Sequence, residues 1–140
     1  MILSAPATLL TAVVTLLAVL VALWTAIQVA RVRGRVKIPP PATTGSPDLE
    51  CALRVQANTV EQFIIFLPSL WLAALYFQGW IPGVLGFLWC LGRVLYALGY
   101  RAEKPGAREP GFFISMLSTL ALIVLAGIGI VRVWMAVNAG

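Results

Sequence analysis

Four stretches of this chain are almost wholly apolar. They cover residues about 7–31, 49–78, 82–102 and 110–136, and short polar or proline-rich segments separate them. A helix rises about 1.5 Å per residue and the hydrocarbon core of a bilayer is about 30 Å thick, so about 20 apolar residues suffice to cross it. The pattern predicts an all-α membrane protein: a four-helix transmembrane bundle in which residues 1–140 form a single domain. The opening MILSAPATLL lacks the positive start of a signal peptide, and its apolar run is too long for one. It reads as the first retained span.

The second stretch breaks the pattern. From Phe63 onward it is apolar, but its first third carries Arg54, Gln56, Asn58, Glu61 and Gln62. At about 100° per residue, Arg54, Asn58 and Glu61 fall within about 60° of one another on one helix face. A charge near the middle of a membrane helix costs roughly 2.5–3.5 kcal/mol on insertion scales, so polar residues kept there on one stripe mark a functional site. Gln56 lies about 160° from Asn58 and cannot face the same pocket within one subunit. If it binds ligand, it serves a second copy of the site, and the protein is an oligomer with shared sites. In the third stretch, Arg93, Tyr96 and Tyr100 share one face in the same way.

The connectors set the orientation. Arg31, Arg33, Arg35 and Lys37 form a basic collar after the first stretch, and Arg101, Lys104 and Arg108 make the third connector basic. Positive loops stay on the cytosolic side, which places loops 1–2 and 3–4 there and both termini on the opposite side. Between the collar and the second helix, IPPPATTGSPDL is a stiff linker, with Ser46 or Asp48 as a helix cap. Pro68 should kink the second helix, Trp80 suits an interfacial anchor, and Arg132 near the end of the last helix should snorkel. Glu61 and Arg93 then both lie roughly 10–16 Å below the cytosolic surface. Polar groups of three segments converge at one depth, with Arg93 or Arg54 as the expected partner of Glu61.

Composition narrows the chemistry. The chain has 140 residues, 61% apolar and 11% charged, with net charge +5. The charge sits in short loops, which fits topology and anionic headgroups rather than nucleic acid. There is no His, and Cys51 and Cys90 have no companion ligands in sequence, so neither a metal site nor a Ser/His/Asp triad is expected. Arginines suit carboxylates, a Glu suits an ammonium group, and Asn or Gln suits an amide. Glutathione has that inventory, with two carboxylates, an amine and a thiol. A free thiol has a pKa near 8.5, so only a few per cent is thiolate at neutral pH, and a nearby guanidinium raises that fraction. The thiolate would attack an apolar electrophile arriving through the lipid, in a groove lined by helices 1 and 4.

The order of these pieces resembles the MAPEG family, the membrane-associated proteins of eicosanoid and glutathione metabolism. The matching segments are Gln28–Val29, Pro39–Pro47, RVQANTVE at 54–61, RVLYALGY at 93–100, and Arg108 before Gly111–Phe112. They are nearest the branch holding leukotriene C synthase and the microsomal glutathione transferases. The resemblance implies a homotrimer of four-helix subunits that binds glutathione between neighbours near the cytosolic side. It implies glutathione contacts at Arg33, Arg54, Gln56, Asn58, Glu61, Tyr96 and Tyr100, with Gln56 from the neighbouring subunit. Gln62, which stands where that branch has a Tyr after the Glu, is expected as a further glutathione contact. Arg108 matches the thiolate-stabilising Arg, with Arg101, Arg33 and Arg35 as alternatives. The implied activity is conjugation of glutathione to lipophilic electrophiles, or reduction of peroxides. Two other readings are a non-catalytic lipid-binding member of the same fold and a small multidrug exporter. Exporters of that kind keep an essential acid in the first helix, and none occurs here.

Overall fold

A computed structural model describes residues 6–139. The reading of the opening residues as a retained span therefore rests, for residues 1–5, outside the described part. Four long helices account for most of the chain: α1 (Pro6–Val36), α2 (Pro47–Leu72), α3 (Ile81–Gly99) and α4 (Glu109–Asn138). Each of these, with the turn that extends α2 and the one that precedes α4, is long and apolar enough to cross a membrane. Their outer faces carry exposed aliphatic side chains such as Leu16, Ile64 and Leu117. In lipid such a face has no water to avoid, so the bundle is held by close packing rather than by a hydrophobic driving force.

The basic collar is helical rather than part of a loop. Arg33 and Arg35 form the last turn of α1, where cations meet the negative end of the helix dipole. The helix stops at Lys37, which takes a left-handed conformation (φ 57°), and the Ile38 N–H closes back on the Arg33 carbonyl at 3.3 Å. The prolines that follow cannot extend it. At the start of α2, Ser46 stands at the N-cap position with extended backbone but makes no side-chain cap bond. Asp48 instead pairs with Arg35 across the linker at 2.7 Å.

Pro68 lies inside α2, and the helix continues through it to Leu72. Beyond it the winding loosens to a π turn over Ala73–Phe77, which ends at Gln78 (φ 64°) and Gly79 (φ 81°). Trp80 is exposed at this link. A short 3-10 turn, Pro105–Arg108, leads into α4. Near the far end of that helix, the Arg132 guanidinium carbon lies 5.5 Å from the Phe77 ring centre.

The core between the helices is built from small and aromatic residues. Phe66 stacks on Trp89 with ring centres 3.9 Å apart and planes within 5°. Val14, Ala18, Leu70 and Leu122 close around them. The α3–α4 contact is tighter. A Cβ at Gly111 would come within 2.6 Å of the Tyr96 Cα, and one at Gly92 within 2.6 Å of the Ser115 hydroxyl. This approach fixes the depth and facing of Tyr96.

Candidate functional site

The site grows from the polar first third of α2. Asn58 and Thr59 are adjacent in sequence and meet two different residues of α3. The Asn58 amide donates to the Tyr96 hydroxyl. The Thr59 hydroxyl accepts from the Arg93 guanidinium at 2.9 Å while donating to the Val55 carbonyl at 2.7 Å. Arg93 is only 1% exposed, and its guanidinium carbon lies 4.1 Å from the Tyr96 ring centre. One terminal nitrogen of this buried cation is hydrogen-bonded and the group lies against π density, which offsets part of the cost of burial, while its Nε has no hydrogen-bond partner.

Tyr96 lies in the last turn of α3, and Tyr100 stands at its C-cap. Their rings meet edge to face, 5.3 Å between centres and 71° between planes. The Arg108 guanidinium carbon lies 4.4 Å from the Tyr100 ring centre. Asn58, Tyr96, Tyr100 and Arg108 thus form a continuous series from α2, through the end of α3, to the 3-10 turn.

Two cavities open at this end of the bundle. The smaller, about 320 Å³, is lined by Arg54, Tyr100, Arg101 and Arg108, with Glu50 and Cys51. Three guanidinium groups against one carboxylate give its wall a net positive charge. The larger, about 880 Å³, is bounded by Trp24, Gln28 and Val32 of α1 and by Cys51, Ala52 and Val55 of α2. Ala97 and Leu98 of α3 complete its wall, together with Tyr100 and Arg101.

The residues singled out from sequence separate into groups. Arg54, Tyr100 and Arg108 line the smaller cavity, while Asn58 and Tyr96 stand behind Tyr100 through the contacts above. Arg33 lines neither cavity. Its guanidinium donates to the Ile38 carbonyl at 3.2 Å and the Ala42 carbonyl at 2.7 Å, and so ties down the linker. Gln56 and Gln62 are half-buried and line neither cavity.

The expected pairing of Glu61 with Arg93 or Arg54 does not form. Glu61 lies on the outer surface of α2, whereas Arg93 faces inward to Thr59 and Tyr96. Among the described residues, Arg35–Asp48 is the one ion pair. An exposed carboxylate on this surface has no internal cation to answer it. Two participants escaped the sequence reading. Thr59 follows Asn58 in sequence but is turned about 100° away from it, off the polar stripe, so helical phase gave no signal for it. Cys51 had none either, yet it lines both cavities.

Four apolar helices with a cationic cavity at one end define a multi-pass integral membrane protein. The family model of the MAPEG family matches residues 10–128, and the chain belongs to that family. It is 48% identical over 115 residues to an uncharacterized protein of Synechocystis sp., covering 81% of this chain and 82% of the relative. It is 43% identical over 102 residues to human microsomal glutathione S-transferase 2, covering 73% and 68% respectively. To leukotriene C4 synthase of Cavia porcellus it is 36% identical over 121 residues, covering 86% and 80%.

Proposed function

We propose that the protein is a membrane glutathione transferase that binds glutathione as thiolate and passes it to lipophilic electrophiles. The observation that carries this is Arg108 set against Tyr100 at the wall of a cavity that Arg54 and Arg101 also line. Relatives named as glutathione transferases support the same reading. Arg54 would fork onto a glutathione carboxylate, and Asn58, held through Tyr96, would orient the peptide. Arg108 would stabilise the sulfur anion without surrendering its own proton, since a guanidinium stays charged at any working pH. Each unit by which it lowers the thiol pKa corresponds to about 1.4 kcal/mol in favour of thiolate. With a lipophilic peroxide, the thiolate would attack the outer oxygen and release the alcohol, and a second glutathione would convert the resulting sulfenic acid to glutathione disulfide and water.

The assembly belongs to the proposal. Gln56, Glu61 and Gln62 lie away from both cavities of their own subunit, and Glu61 is exposed. That arrangement supports a homotrimer in which these residues complete a site between neighbours, Gln56 contacting a glutathione of the adjacent subunit and Glu61 its ammonium group. The basic ends of α1 and of the α3–α4 connector support a cytosolic placement of this site, with both termini across the membrane. The test is purified protein with glutathione and chlorodinitrobenzene. Thiolate absorbance on adding glutathione, followed by conjugate, is expected; absence of both overturns the reading.

A further inference from the structure

The larger cavity has a polar lining of mixed sign. Arg35 and Asp48 stand in its wall as an ion pair, and the α3–α4 connector adds Arg101 and Glu103. Among the described residues Arg35–Asp48 is the one ion pair, so neither Arg101 nor Glu103 is committed to an opposite charge. The pair itself is largely exposed, and an exposed pair gives up little when a partner is exchanged. Gln28 lines the cavity deeper in, about two helical turns before Arg35. It therefore lies on the same face of α1, about 10 Å away.

Two guanidinium groups, two carboxylates and an amide make a wall without net charge. Such a wall suits neither a simple anion nor an alkyl chain. It suits a zwitterionic peptide: carboxylates meet the guanidinium groups, an ammonium meets a carboxylate, and a peptide amide meets Gln28. The volume of about 880 Å³ lies in the range of small-molecule sites. The two cavities are also neighbours. Cys51, Tyr100 and Arg101 line both, so the partition between them is one residue thick. A carboxylate held by Arg101 would keep a peptide in the larger cavity against that partition.

We propose that the α1–α2–α3 cavity seats a second glutathione, the one that resolves the sulfenic acid during peroxide reduction. The proposal rests on the transferase reading of the smaller cavity. There the first thiolate attacks the outer peroxide oxygen, the oxygen–oxygen bond breaks, and the alkoxide leaves and takes up the proton shed by the first thiol. The second glutathione, as thiolate, attacks the sulfenic sulfur across the partition. The sulfur–oxygen bond breaks, and the departing hydroxide takes the proton shed by the second thiol to give water. Two thiols are oxidised to one disulfide, and the peroxide receives both electrons. Conjugation to an electrophile consumes one glutathione and has no use for the second seat.

The full chain in detergent supplies the test. Equilibrium dialysis with radiolabelled glutathione should find two molecules per subunit, with the thiolate absorbance accounting for one. Gln28→Leu and, independently, Glu103→Gln should raise the glutathione concentration that half-saturates cumene hydroperoxide reduction by at least about fivefold, the scale of one lost hydrogen bond. Both variants should leave the thiolate absorbance, and the glutathione KM for chlorodinitrobenzene conjugation, within about twofold of the parent. One glutathione per subunit at saturation overturns the proposal. So do hydroperoxide kinetics unchanged in both variants, a parallel loss of conjugation in both, or a parent protein that conjugates but reduces no hydroperoxide. In each of those cases a persisting thiolate signal retains the transferase reading. A parent protein with neither thiolate nor conjugate removes that reading, and the second seat with it.

Discussion

The guanidinium carbon of Arg93 sits 4.1 Å from the centre of the Tyr96 ring, in a position only 1% exposed. The same guanidinium donates to Thr59 of the neighbouring helix. One buried cation thus holds the ring whose hydroxyl receives the Asn58 amide. Arg93→Ala should lower thermal stability by about 1–3 kcal/mol through lost packing and a lost charged hydrogen bond. It should also weaken glutathione binding, although Arg93 lines neither cavity. Arg93→Lys should recover part of the stability but not the planar stacking. Thermal melts followed by tryptophan fluorescence, with glutathione titrations on each variant, check this. A melt unchanged in Arg93→Ala would contradict it.

Arg108 and Arg54 line the same cavity but should fail differently. Arg108→Ala should keep most glutathione binding and lose the thiolate absorbance, with turnover reduced by about 10²–10³, the scale for removing one preorganised charge-stabilising donor. Arg54→Ala should chiefly raise the glutathione KM. The pair of variants is compared by difference absorbance and steady-state kinetics. Loss of thiolate in Arg101→Ala with Arg108→Ala normal would move the role to Arg101.

Gly111 faces the backbone of α3 with no room for a side chain. A methyl there would come within 2.6 Å of both the Gly92 carbonyl oxygen and the Tyr96 Cα. These are backbone atoms that cannot swing aside, so Gly111→Ala should destabilise by about 1–3 kcal/mol or more and displace Tyr96. At Gly127, on the same helix, a methyl group would meet nothing within 4 Å. Gly127→Ala should be neutral or slightly stabilising, because alanine loses less backbone entropy. Melting temperatures of the two variants, measured side by side, decide the matter.

The Arg35–Asp48 pair is short, at 2.7 Å, yet its side chains are 65% and 64% exposed. Exposed pairs contribute little, so Asp48→Asn should change stability by less than about 1 kcal/mol, and less still at high salt. Its contribution is to the mouth of the larger cavity rather than to the fold. A large, salt-insensitive drop in the melting temperature would show otherwise.

Much of this molecule could be read before folding. Four apolar runs of bilayer length leave few alternatives to four membrane helices, and the position of Arg54, Asn58, Tyr96, Tyr100 and Arg108 relative to those runs marked one end of the bundle. The reading failed where one residue had to be matched to another. Helical phase places Glu61 on the stripe with Asn58, but cannot say which part of that stripe faces α3. Asn58 does and Glu61 does not. Arg33, in a collar of similar cations, was indistinguishable from its neighbours until its guanidinium was found on two linker carbonyls.

By itself, then, the sequence determined the spans, the basic ends and the cluster of arginine, amide and phenol groups, because hydropathy and helical phase are local properties. Only the tertiary structure decided that Thr59 receives Arg93, that Cys51 lies in the wall between two cavities, and that the larger one lies among α1, α2 and α3. Those outcomes depend on how closely glycine faces let helices approach and on the rotation of each helix about its axis. Both are set by packing across the whole bundle, and no single segment encodes them.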